Sequence, residues 1–352
     1  MIDISTEAAA ACAPGSLRIA LGAALFALTN AFSTALYRNG GATVVSLYII
    51  RSFVVYVING LLVAWNDGRA EAANVLMLRC GSAEAMRLTL ARSLLNATKA
   101  CLLSISFVFV TYANAFTVFK GVGTFSTVVV ARTLLGSGEQ LSLYELACGV
   151  FTLAGIVLIA QPPAIFGGPS QSASAAAAAS AAAAADSEAA PVWVPHIGAG
   201  LALATVAGGL SAFSGTLMRL LSNSAGPFKL SPSMTLSFLM FVMVCFFGCV
   251  AFVCRASHLA EAPGWEWSAL AWPSRASDWL LVGLHCLCAL SAWLATGAGY
   301  ATTRAGMVAF LQLTELPWVY VLDVVALGEP TDWLAGVGSA IVFASAVAAG
   351  CH

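Results

Sequence analysis

About ten apolar runs, each of roughly 20 residues, constrain this chain more than any motif in it. A run such as LYIIRSFVVYVINGLLVAW (Leu47–Trp65) is too long for a strand and too apolar for the surface of a water-soluble domain. The runs lie at Leu17–Tyr37, Ala42–Trp65, Leu88–Val110, Ala113–Leu134, Leu143–Ala160, Gly198–Leu220, Ser233–Cys254, Trp279–Thr302, Gly306–Leu327 and Trp333–Gly350. A helix of that length crosses the roughly 30 Å hydrocarbon core with its backbone bonded internally. Hydrophobic residues make up 60% of the chain and charged residues 9%, where a soluble domain carries about 25% charged. The expected fold is therefore an all-α integral membrane protein with ten transmembrane helices. A net charge of −1 leaves no basic footprint for nucleic acid.

Short connections such as RNGG and TYAN make neighbouring runs antiparallel hairpins. Residues 1–16 have acids and no basic region before the first run, so they read as a cytosolic tail ahead of an uncleaved anchor rather than as a signal peptide. With that tail inside, Arg18, Arg69, Arg79, Arg87, Arg132, Arg219, Lys229 and Arg304 fall on the cytosolic side, and Arg38, Arg255 and Arg275 fall outside. The bias places both termini in the cytosol; it does not tell plasma membrane from endomembrane. Trp65, Trp193, Trp279 and Trp333 sit at run ends, where an interfacial belt is expected. Most of the ten cysteines lie inside apolar runs as small packing residues, and HCLC (His285–Cys288) places its two cysteines on different helix faces, so no metal site is expected.

Residues 161–196 break the pattern. Their Ala/Ser-rich centre, GGPSQSASAAAAASAAAAADSEAAP (Gly167–Pro191), has no apolar periodicity and reads as a non-cytosolic linker. It separates two similar halves, residues 17–160 and 197–350, each with about five runs. Gly138-Glu139 and Gly328-Glu329 fall at matching places in the closing helix pairs, followed by Gly149 and Gly338. Five runs per half invert the second copy relative to the first, the arrangement of alternating-access transporters with a midplane site.

The segment LLGSGEQLSLYELACGVFTLAGIVLIAQPPAIFG resembles the close of a first EamA domain of the drug/metabolite transporter superfamily, and GMVAFLQLTELPWVYVLDVVALGEPTDWLAGVGSAIV resembles the close of a second. The ending LIAQPP-IFG is similar to the G group of nucleotide-sugar-transporter-like solute carriers (family 35). The resemblance covers both halves. It implies two inverted five-helix EamA repeats, cytosolic termini and an alternating-access cycle. It implies no cofactor and transfers no catalytic signature.

Charges inside the runs carry the functional signal, because an ionisable side chain at mid-bilayer costs about 2.5–3.5 kcal/mol and faces the bundle interior or a water-filled cavity. Arg92, Asn96 and Lys99 are spaced by four and then three and share one helix face, extended by Ser106. Lys120, Thr124 and Thr127 form a second polar line. Arg51 lies within the second run, at a place where EamA helices frequently carry an arginine; structural pairing and ligand contact are both open to it. Arg92 is near enough to a run end to snorkel. Gln312 and Glu315 share a face of the ninth run, and Glu315 could pair with a lysine, carry a coupling proton or pack helices. Pro317 in TELPW removes one backbone bond and predicts a kink at the depth of Glu315, either structural or a gating hinge. Glycines Gly121, Gly123, Gly297 and Gly299 suit close helix approach.

Together Lys99 and Lys120 predict an electropositive cavity, with Asn96, Arg92, Arg51, Thr124, Gln312 and Glu315 around it. The function this favours is secondary transport of a small organic anion, a carboxylate or phosphate-bearing metabolite, with a coupling proton or counter-substrate. A nucleotide-sugar exchanger is the alternative within the same class. A membrane-embedded acyltransferase-like enzyme is disfavoured, since SAFSGT lacks the G-x-S-x-G elbow. A structural or trafficking protein would have no need of the mid-run charges. No G-x-x-x-x-G-K-[ST] loop is present for ATP-driven transport.

Overall fold

A computed structural model of the chain describes residues 4–38, 41–109, 112–136, 142–160, 197–223, 226–258, 268–327 and 333–351. The regular elements among the described residues are helices: α1 (Ile4–Arg38), α2 (Val44–Asn66), α3 (Arg69–Leu76), α4 (Ala83–Phe109), α5 (Tyr112–Leu135), α6 (Leu143–Ala160), α7 (Ile197–Ser222), α8 (Pro232–Ala256), α9 (Ala276–Thr302), α10 (Ala305–Gln312), α11 (Glu315–Leu327) and α12 (Trp333–Cys351). Each apolar run is occupied by helix. Seven stretches are long and apolar enough to cross a membrane, so the chain is a multi-pass membrane protein: Gly15–Tyr37, Val44–Asn66, Ala115–Leu135, Gly198–Ser222, Pro232–Ala256, Ala276–Thr302 and Ala305–Leu322. The other three runs are α4, α6 and α12. Helix α4 carries Glu84, Arg87, Arg92 and Lys99; within α6 and α12 the described residues give apolar stretches at Leu146–Leu158 and Gly336–Ala349.

Local chemistry sets several helix ends. Thr43 caps α2 by accepting from the Ser46 amide at 3.3 Å, and Ser231 caps α8 by accepting from the Met234 amide at 3.2 Å, with Pro232 in the first turn. Inside the helices, hydroxyls turn back onto their own backbone, as Thr89 does to the Ala85 carbonyl and Ser104 to the Ala100 carbonyl, both at 2.8 Å or less. Such bonds satisfy polar groups where lipid offers none.

Three boundaries differ from the sequence reading. Helix α1 begins at Ile4, so most of the expected tail, rich in the helix-favouring alanine, extends the first helix. The short α3 was not signalled; it buries only Ala72 and Val75, too little to stand out as periodicity. The ninth run is not one kinked helix but two, α10 and α11, separated at Leu313–Thr314. Pro317 has no N–H for the Leu313 carbonyl, which instead accepts from the Leu316 amide at 3.0 Å, and the Thr314 amide closes a tight turn onto Leu311 at 3.2 Å. The break therefore lies three to four residues before the proline that causes it.

Helices of the N-terminal half pack mainly on helices of the C-terminal half: α1 on α9, α4 on α7, α5 on α7, α2 on α8 and α6 on α12. Three of these pairs run antiparallel. Gly22 faces Thr296 while Thr29 meets His285 along α1 and α9. Tyr48 stacks on Phe247 at 4.5 Å while Asn59 donates to Ser237 at 2.8 Å along α2 and α8. Asn96 meets Ser214 while Lys99 meets Ser211 along α4 and α7. Backbones approach closely at two crossings: a Cβ on Gly155 of α6 would sit 2.7 Å from the Gly338 carbonyl oxygen of α12, and a Cβ on Gly208 of α7 would sit 2.8 Å from the Phe119 carbonyl oxygen and 3.1 Å from the Gly123 nitrogen of α5. Gly123 and Gly299 thus serve close packing as expected, whereas a Cβ on Gly121 would meet nothing nearer than 3.9 Å. Trp65, Trp279 and Trp333 are exposed at helix ends. Residues 161–196 with Trp193, and the pairs Gly138-Glu139 and Gly328-Glu329, lie outside the described residues.

Candidate functional site

Between these helices lies a cavity of about 220 Å³. Phe26 and Trp293, ring centroids 5.2 Å apart, stand edge-to-face on one wall, and Phe116 and Phe119 form another. Into this apolar frame the helices project a concentrated set of polar groups.

All eight residues singled out as a binding set line this one cavity: Arg51, Arg92, Asn96, Lys99, Lys120, Thr124, Gln312 and Glu315. The four-three spacing does put Arg92, Asn96 and Lys99 on one face of α4. The second polar line of α5 enters as Lys120, Thr124 and Thr127. Ser106 does not; its hydroxyl donates to the Leu103 carbonyl at 2.6 Å and it lies beyond the lining.

Each cation has its own surroundings. Lys120 Nζ is ion-paired to Glu315 Oε2 and lies 5.3 Å from the centroid of the Phe116 ring. Lys99 Nζ donates to Ser211 Oγ at 3.3 Å and lies 5.9 Å from the Phe119 centroid; among the described residues no carboxylate pairs with it. Arg51 stacks over Tyr48, 4.4 Å from the ring centroid, and its buried Nε has no hydrogen-bond partner. Arg92 corrects the snorkelling alternative: it is 2% exposed, donates through Nη1 to the Thr235 carbonyl at 3.2 Å, and also leaves its Nε unpartnered.

Of the three roles open to Glu315, lysine pairing is the one seen. Glu315 is 3% exposed, and Asn30 Nδ2 donates to its second oxygen, Oε1, at 2.8 Å. Thr124 Oγ1 donates to the Ala309 carbonyl at 3.4 Å, and Asn96 Nδ2 is bonded to Ser214. Pro317 is buried in the first turn of α11, just beyond the lining.

Among the described residues the arrangement sets four basic side chains against the single carboxylate of Glu315, leaving three formal positive charges in excess within the lining. A chamber walled by aromatic rings and carrying unpaired donors on Arg51 and Arg92 is complementary to an anion. Several lining residues were not signalled: Asn30, Tyr48, Ser211, Ser214, Trp293 and Tyr300. The three-residue spacing of Ser211 and Ser214 in LSAFSGT was a usable sign. Single polar residues such as Asn30 and Tyr300 gave none.

No family model matches this chain, and no curated protein matches it. A solved structure described only as "Crystal structure of protein" is similar, with a TM-score of 0.62 and 15% identity over 97% of this chain and 97% of that one. At that identity the likeness is one of fold alone.

Proposed function

We propose that this chain is a secondary transporter that carries a small organic anion, a carboxylate or a phosphate-bearing metabolite, by alternating access. The observation that carries the reading is the cavity's charge: Arg51, Arg92, Lys99 and Lys120 against Glu315 alone. Cations within membrane-spanning helices are retained where they meet a ligand or a partner, and three of these four have no carboxylate partner among the described residues.

The proposed frame is ten spans in two inverted EamA-like repeats, residues 17–160 and 197–350, joined by a non-cytosolic linker, with both termini cytosolic. The packing supports it. The first helix of one half meets the third of the other in both directions, α1 with α9 and α7 with α4, while α2 meets α8 and α6 meets α12. That is the exchange pattern of a two-fold axis. The antiparallel run of α2 against α8 suits an axis in the membrane plane, because an axis along the normal would leave symmetry mates parallel.

Counterflow in proteoliposomes tests the function. The panel is mono-, di- and tricarboxylates, inorganic phosphate, a sugar phosphate, a nucleotide sugar, choline and a neutral sugar. Exchange of one or more carboxylates or phosphates, with no exchange of choline, is the expected result. Transport of choline or the neutral sugar alone overturns the reading; preference for the nucleotide sugar moves it to nucleotide-sugar exchange.

A further inference from the structure

Glu315 is unlike every other group in the cavity. Among the described residues it is the one carboxylate of the lining, and its two oxygens have different partners: Oε2 holds Lys120, and Oε1 accepts from Asn30 at 2.8 Å. It opens α11 directly after the break at Leu313–Thr314, so it sits where the ninth run is not a continuous helix. Lys99 lines the same chamber from the neighbouring helix and, among the described residues, has the Ser211 hydroxyl as its hydrogen-bond partner.

We infer that Glu315 is an internal anion that the substrate displaces from Lys120, and that its Oε2 takes up a proton as it is displaced, so that anion and proton cross together. This rests on reading the cavity as an anion-transport site. An anion held by Lys99 and Lys120 brings a second negative charge to the ammonium that Glu315 now occupies. An anion that takes the Lys120 ammonium leaves Oε2 of Glu315, 3% exposed, without its ion-pair partner, and burial then favours the neutral carboxyl. The other ionisable groups of the lining are Lys99 and Arg92 from α4, Arg51 and Tyr48 from α2 and Tyr300 from α9; α1 contributes the neutral Asn30 and Phe26. Among them Glu315 is the group whose Oε2 changes partner when an anion takes the Lys120 ammonium.

The balance is simple. On the loading side, the Glu315–Lys120 ion pair, the anion and one proton from water become a neutral Glu315 carboxyl and an anion–Lys120 ion pair. On the unloading side the anion leaves, Oε2 gives its proton to water, and the original pair re-forms. Asn30 acts as a positioning residue: it donates to Oε1, which accepts in both protonation states, and so holds the carboxyl within reach of Lys120 while Oε2 changes partner.

The test uses the full chain in proteoliposomes that contain a pH-reporting dye, with the membrane potential clamped at zero by potassium and valinomycin. The probes are succinate and inorganic phosphate, together with any other anion positive in the counterflow panel. For the wild type, probe uptake acidifies the lumen, and an inward proton gradient of about one pH unit concentrates the probe about tenfold per coupled proton. Glu315→Gln keeps an amide oxygen for Asn30 but carries no proton. It is expected to take up the probe without acidification, to reach an accumulation ratio near one, and to exchange at a rate that no longer varies with pH. Glu315→Asp retains a titratable group and is expected to restore proton uptake, which a purely structural role for Glu315 does not predict. Wild-type uptake of a probe without acidification overturns the coupling while leaving anion transport standing. Lumen acidification by Glu315→Gln at the wild-type level overturns the assignment to Glu315. If Glu315→Gln fails to fold, the wild type and Glu315→Asp decide by the same readout. Transport of no anion by any protein overturns the parent reading and this one with it.

Discussion

The same substitution at the two cavity lysines is expected to change stability in opposite directions. Lys120 is paired with Glu315, and their side chains are 15% and 4% exposed. Replacing Lys120 by methionine removes the cation and leaves a buried carboxylate, which typically costs about 3–5 kcal/mol. Glu315 falls at the low end of that range, because Asn30 still donates to its second oxygen at 2.8 Å. The expected loss for Lys120→Met is therefore about 3 kcal/mol. Lys99 has no carboxylate partner among the described residues, and its one bond is to Ser211 at 3.3 Å. Removing its charge relieves part of the roughly 2.5–3.5 kcal/mol cost of a mid-helix lysine, less about 1.5 kcal/mol for the charged hydrogen bond given up. Lys99→Met should therefore stabilise the empty protein by about 1–2 kcal/mol. Thermal unfolding of the purified protein in detergent at pH 7, without added anion, measures both. The double variant Lys120→Met/Glu315→Met should return to within about 1 kcal/mol of the wild type, since it deletes both charges of the pair. Equal destabilisation by the two lysine variants, or no recovery in the double variant, refutes the argument that one lysine is structural partner and the other spare charge.

Removing the Lys99 charge should cost function even as it adds stability: Lys99→Gln raises the apparent KM for a transported anion by about tenfold or more, with Lys99→Arg retaining part of the affinity, in initial-rate uptake; an unchanged KM removes Lys99 from the site. Gly208→Ala should destabilise by about 1–3 kcal/mol because its Cβ meets the Phe119 carbonyl oxygen at 2.8 Å, whereas Gly209→Ala, with nothing within 4 Å, should be neutral or slightly stabilising in the same unfolding assay. Pro317→Ala supplies an amide for the Leu313 carbonyl and favours joining α10 to α11. If the break is a moving hinge, the maximal transport rate falls several-fold with KM little changed; wild-type rates make the break a fixed feature.

Much of the fold was legible before any coordinates. Helix placement followed from run length, because lipid leaves a backbone no alternative to internal bonding. The four-three spacing of Arg92, Asn96 and Lys99 followed from the 3.6-residue turn. The gaps have equally definite causes. Helix α3 buries too few residues to leave a periodic trace. The expected glycine Gly121 proved roomy while the unremarked Gly155 and Gly208 are pressed against carbonyls of facing helices, because small-residue patterns mark candidates for close approach and only the crossing point selects among them. Pro317 announced a disturbance of the ninth run, yet the outcome, two helices with a 3₁₀-like turn between, depended on which carbonyls found other donors.

What the sequence alone determined is the inventory: apolar helices and a few charges that lipid does not tolerate. Each of these follows from local chemistry or from transfer free energy, and neither needs a partner to be known. What only the tertiary structure decided is the pairing. Periodicity tells which residues of a helix share a face, but not which face of another helix meets it. That Lys120 rather than Lys99 holds Glu315, that Arg92 is buried against α8 instead of reaching water, and that Asn30 from α1 completes the carboxylate's shell are all contacts between residues far apart in the chain. They arise from the crossing of α1, α4, α5, α8 and α11 around one cavity, and a charge acquires its role there only from the distance to its nearest opposite.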